Sequence, residues 1–331
     1  MQSNGLMSVT MCIGSLCASY GYAQSQILVV DFGGDKVVRY DYPSGSPVDH
    51  FVGTGLTNLD GPHKAVFGPD GDLYVSATVS NNVLRYDGIT GKPRVQAIAP
   101  GAGGVQSPSG FAFGSDGMMY VTSFGNDRVV RVDTASGQIS PFIEPGNALD
   151  GPHDLAQDSM GNWYVVSDNS DRVLKYSSTG IFIEEAISVQ QAGLNSPNSC
   201  VIDPQNRLFV SSPETDNIIV KDLNNGLVTQ LLPPKTKVFP MNPQYITIGP
   251  EPNVLYVVDL GGNGRFLKYD RTTGQYIGEF LIPLTGGLSG DPIAVVFVPD
   301  SLTCDADCDM NGILNIFDYI CYGNQYAAGC Q

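Results

Sequence analysis

Positive charge is scarce in this chain: 17 Lys and Arg stand against 33 Asp and Glu in 331 residues, a formal net charge of −16. No basic cluster occurs, which excludes the electrostatic footprint of a nucleic-acid or anionic-membrane binder. Helical 3.6-residue periodicity is also missing, so paired-helix repeats are excluded. Met1 to Ala23 holds no charged residue, not even the basic ones that usually open an export signal. Its apolar stretch, Leu6 to Ala18, is too short to cross a bilayer. With small residues at Gly21 and Ala23, the segment reads as a signal peptide, 1–23, removed after Ala23. The mature chain is then expected outside the cell, secreted or at its surface, with no transmembrane segment.

What is present is a repeat. Asp60 to Asp87 reads DGPHKAVFGPDGDLYVSATVSNNVLRYD. Lys64 to Phe67 is a short strand, Pro69-Asp70-Gly71 a turn, Asp72 to Ser76 a second strand and Val83 to Tyr86 a third. A turn at Thr90-Gly91 leaves Pro93 to Ile98 as a fourth. Four such strands cannot bury both faces of their sheet, so the unit must stack on copies of itself. The copies open at Pro62, Pro108, Pro152, Pro197, Pro243 and Pro292, spaced 44 to 49 residues apart. Four-stranded units at this period predict an all-β, six-bladed β-propeller over 24–301. The last opening supplies only a first strand and the segment from Gln26 only later strands. Pairing Ile293 to Val298 with Ile27 to Asp31 closes the ring and removes the exposed edge.

Columns of equivalent positions follow. Ala65, Phe111, Leu155, Cys200, Ile246 and Val295 form a core column, which makes Cys200 a buried thiol. Trp163 takes the core position of Leu73 and Leu208. Arg39, Arg85, Arg131, Lys175 and Lys268 recur on third strands and are expected to pair between blades with acids such as Asp41, Asp87, Asp133 and Asp270. Directly after the prolines stand His63, Ser109, His153, Asn198, Gln244 and Ile293, mostly polar and placed at the channel mouth. Asp60, Asp150 and Asp154 lie beside them, able to raise the histidine pKa values or to hold a cation.

The tail, 302–331, differs in composition. Asp307, Asp309, Asn311, Gly312, Ile313, Asn315 and Asp318 occupy positions 1, 3, 5, 6, 7, 9 and 12 of a calcium loop. Oxygen ligands alternate, the glycine allows the sharp bend, and Ile313 offers its carbonyl. Cys304, Cys308, Cys321 and Cys330 read as two disulfides of open connectivity; a zinc site is the competing reading.

The succession of GP, an apolar run, PDG, LYVS, a polar loop and NxVLRYD resembles NHL repeats and the propellers of the SMP-30/gluconolactonase group and streptogramin lyases. The tail resembles a single dockerin repeat and the Cys-bearing C-terminal tails of exported planctomycete proteins. The first resemblance implies a divalent metal near Asp60-Gly61-Pro62 and Pro197-Asn198, or a proton-abstracting histidine at His63 or His153. Two functions remain open at this level. One is a calcium-bearing recognition module for an extracellular protein, glycan or small molecule. The other is a metal-dependent hydrolase or histidine-dependent lyase.

Overall fold

A computed structural model describes residues 26–299 except 56, 233–241, 262–263 and 282–284. The signal-peptide segment, the calcium loop and the four tail cysteines therefore lie outside the described residues. No helix among those described is long and apolar enough to cross a membrane.

The chain forms six antiparallel sheets arranged as the blades of a ring, numbered here from the one at the N-terminus. Blade one joins the two ends of the described chain. Pro292–Phe297 is its innermost strand and pairs, as expected, with Gln26–Asp31, Val29 standing opposite Val295. The closure matters because it covers the edge of Gln26–Asp31 that would otherwise stand open. Blades three to six are complete four-stranded meanders.

Blade two departs from expectation. Its outer segment makes only two isolated bridges, Val83 to Ile98 and Tyr86 to Pro93, in place of a fourth strand. Pro93 has no N–H to give to a ladder, and Val95 is 86% exposed, so only the end of the segment, at Ile98, is held by burial.

Second strands are buried along their length, as in Leu73–Ala77 and Trp163–Ser167. Outer strands such as Pro47–Val52 bury only their last residues. The core is consequently divided into six apolar clusters, one between each neighbouring pair of blades. Trp163 and Cys200 are buried in two of these, as expected from their columns.

One recurrent contact sets the spacing of the opening prolines. Asp35, Asn81, Asp127 and Asp171 all have positive φ, between 48° and 57°. Each accepts, at 2.7 to 2.9 Å, the backbone N–H of the residue before the next proline: Gly61, Ser107, Gly151 and Ser196. Asn and Asp tolerate the left-handed conformation better than other side chains. The turn residue of one blade thus fixes where the inner strand of the next begins.

The recurrent basic residues pair differently from expectation. Arg39 meets Asp49, Arg85 meets Asp70 and Asp72, and Lys268 meets Glu251, all within one blade. Asp87, Asp133 and Asp270 instead hold the tight turns that follow them, accepting two backbone N–H groups and a hydroxyl each. These donors hold all three carboxyls below their ordinary pKa. An Asp two to three residues before Thr or Ser is well placed for such a turn, and the local bond wins over a distant ion pair.

Candidate functional site: the axial channel

Each inner strand enters the ring at its proline and bulges at once. In blade two Pro62 pairs with Ala77 but Ala65 with Val75, so His63 and Lys64 together oppose the single residue Ser76. The same slip follows Pro108, Pro152, Pro243 and Pro292. A bulge breaks the alternation of side chains, so two successive residues per blade reach the axial space rather than one.

His63 and His153 come from blades two and four, yet their rings meet edge to face with centroids 4.7 Å apart. The intervening blade allows this by contributing no bulk. Ser109 is buried and donates its hydroxyl to the His153 carbonyl at 2.9 Å. At Gly110 a Cβ would lie 2.5 Å from both that carbonyl and the Asp154 carboxylate. The Nδ1–H of His153 donates to the Asn198 carbonyl at 2.8 Å, which leaves Nε2 as an acceptor. Asn198 and Gln244 bond to each other through their amides.

Below the imidazoles, Lys64 Nζ lies 2.6 Å from Asp154 Oδ1. Both side chains are buried, and the bond spans the axis between non-adjacent blades. The Asp154 carboxylate also accepts from Ser199 Oγ and from the backbone N–H groups of Cys200 and Leu155. Tyr245 completes the group, its ring centroid 5.8 Å from Lys64 Nζ.

Burial, the neighbouring imidazole and Lys64 push the His63 pKa well below 6.5. His153 is also lowered, by burial, although Asp168, the Asn198 carbonyl and Asp154 act against the shift. This corrects the expectation that Asp60 and Asp150 raise these values. Both are exposed, and Asp150 is turned to Asn169. Of the three acidic candidates only Asp154 reaches the axis.

The site does not fit a divalent cation. No three His, Cys, Asp or Glu residues converge as a ligand set among the described residues. Asp154 already has four donors, and Lys64 supplies the positive charge that a metal would bring. The space among the histidines, Lys64, Asp154, Asn198, Gln244 and Ile293 is about 10 Å³, on the scale of one water. Lys64 and Tyr245 were not singled out from the sequence as site residues. The signal was there: two positions after the prolines, Lys64 and Asp154 are the only charged residues, and their signs are opposite.

The architecture is a six-bladed β-propeller whose throat is closed by a histidine pair and a buried ion pair. No family model matches the chain, and no curated protein does. Solved structures do match. A chain of a nidogen/laminin complex is similar at TM-score 0.67 and 16% identity, over 83% of this chain and 98% of that one. Virginiamycin B lyase from Staphylococcus aureus is similar at 0.60 and 16%, over 80% and 83%. A catalytically inactive histidine-to-alanine variant of that lyase, with quinupristin, is similar at 0.57 and 16%, over 71% and 74%. At these identities the likeness is one of fold.

Proposed function

We propose that this protein is an exported, calcium-bearing recognition module that engages an extracellular protein or glycan through the mouth face of its ring. The observation that carries the reading is the closed throat: a space of about 10 Å³ beneath the histidines admits no substrate between the groups that would act on it. What remains at the mouth is a polar rim, His63, His153, Asn198 and Gln244, with Asp60 and Asp150 exposed around it. Hydrogen-bonding side chains on a rigid ring suit recognition. A propeller similar in fold occurs in a nidogen/laminin complex, which gives a precedent for the architecture in protein binding.

The test is an array of extracellular-matrix proteins and glycans probed with the full chain and with a Gln244→Ala/His63→Ala variant. Binding that disappears in the variant, at unchanged melting temperature, supports the reading. Binding indifferent to both changes overturns it.

A second reading, histidine-dependent lyase, is favoured by one observation: two uncharged imidazoles in contact, of which His153 presents a free Nε2. It predicts turnover of a depsipeptide lactone such as quinupristin that is lost in His63→Ala or His153→Ala. Absence of turnover at high enzyme concentration removes it.

For the tail, the proposal is one calcium ion held by Asp307, Asp309, Asn311, the Ile313 carbonyl, Asn315 and Asp318, with Cys304, Cys308, Cys321 and Cys330 paired as disulfides. So short a segment lacks the core to fold unaided, and metal and cross-links would supply the stability. Calorimetry on the oxidised full chain is expected to show one calcium site, absent in Asp307→Ala/Asp318→Ala. A site unaltered by both changes contradicts the assignment.

A further inference from the structure

The axial channel is not closed along its whole length. Past Lys64, on the side away from the histidines, it opens into a cup of about 380 Å³. The fourth residue after each proline borders it: Val66, Ala112, Ala156, Val201, Thr247 and Val296. All six are only partly buried, and five are apolar. Lys64 and Tyr245 border both this cup and the narrow space above, and so form the partition between them.

Two polar side chains of the wall are already engaged. Thr247 Oγ1 donates to the Ile248 carbonyl, and the Gln157 amide accepts from Ser115 N and donates to the Gly161 carbonyl. Asp154 lies on the far side of the partition with its carboxylate filled. The Lys64 ammonium has capacity left: it carries three N–H donors and gives one to Asp154, with the Tyr245 ring beside it. A cup of this volume, apolar in its walls and with one under-used donor at its floor, has the make-up of a small-molecule site.

We propose that the cup binds a compact aromatic or alicyclic molecule carrying one neutral hydrogen-bond acceptor, which takes a free N–H of Lys64. The acceptor is neutral because the Lys64–Asp154 pair is already balanced, and a second carboxylate would stand unpaired near Asp154. This site is on the opposite side of the partition from the mouth, and its occupancy is independent of any mouth partner.

Nile red, a neutral fused-ring dye with a carbonyl, is the probe. Titrated into the full chain, it is expected to show a saturable, blue-shifted emission with one site per chain and an affinity on the order of micromolar. Ala112→Phe and Ala156→Phe narrow the cup and should each weaken binding about tenfold or more. Ile181→Ser and Leu227→Ser remove exposed apolar side chains on the outer edge of the blades and should leave it unchanged. Pyrene, which has no acceptor, should bind more weakly than Nile red. Non-saturable emission, loss of binding in the outer-edge variants, or equal affinity for pyrene overturns the proposal. If the narrowed variants do not fold, a crystal structure of the wild type with the dye decides: dye between the inner strands supports the site, and dye elsewhere refutes it.

Discussion

Lys64→Met is expected to cost about 3–5 kcal/mol of folding stability, the range for breaking a buried ion pair by removing one partner. The reason is what stays behind. Asp154 is 2% exposed, and without the ammonium it keeps three neutral donors but no opposite charge. A charged carboxylate in that position either takes up a proton or draws water into the throat, and both cost free energy. The pair also ties blade two to blade four across the axis, a link that no sheet ladder makes. Asp154→Asn alone is expected to be severe for the converse reason, since it strands the ammonium. The double variant Lys64→Met/Asp154→Asn should cost clearly less than the two single changes added together, because neither charge is then left alone. Denaturant midpoints of the four proteins give the cycle. A loss below about 1 kcal/mol for Lys64→Met, as at a solvated surface pair, would show that the throat is wet and the pair loosely held.

The ring was legible in the sequence because it rests on repetition. Six prolines at a near-constant step, with β-rich segments between them, allow few architectures, and the half-blades at the two ends determine how the ring closes. The core columns followed from the same register, down to the burial of Cys200. The throat was less legible. A repeat argument aligns residues by their distance from the proline and assumes alternation, so it aimed only the first residue of each strand at the axis. The bulge after the proline brings the second residue in as well, and that is where Lys64 and Asp154 stand. Nothing in Pro-His-Lys announces a bulge. The four-strand pattern likewise hid the weakness of blade two, whose outer segment begins with a proline and exposes Val95. The charge pairings went astray for a different reason. Recurrence of Arg on one strand and Asp after it says that both are constrained, but not that each constrains the other. The aspartates turned out to serve their own turns, and the basic residues chose nearer acids.

Acidification from pH 7.5 to 5 is expected to lower stability through the two throat histidines. Both have folded pKa values below the 6.5 of a free imidazole, so as the pH falls the unfolded chain is protonated first. Stability is therefore complete above about pH 6.5 and is lost progressively below it, until the folded-state values are reached. Each imidazole can contribute up to about 1.4 kcal/mol per pH unit within that window. The two rings are partly exposed, so solvent screens part of the effect and the total stays below the ceiling. Asp87, Asp133 and Asp270 carry the opposite kind of group but the same sign. Their carboxyls are lowered by turn donors, and their contribution fades only as the pH falls below the carboxylate range, outside this window. Asp291, raised by burial and by Asp31, works in the other direction and is untouched by changes at the throat. The comparison of wild type with His63→Gln/His153→Gln at each pH isolates the imidazoles. The variant should show a flat urea midpoint between pH 5 and 7.5, where the wild type slopes. Parallel curves would mean that the rings titrate as free groups and do not form the packed pair. The outcome bears on recognition as well, because imidazoles held neutral at pH 7 offer a partner hydrogen bonds without charge. The contribution of the imidazoles to affinity at the mouth should then be nearly independent of salt around neutrality and acquire salt dependence only once the rings are protonated.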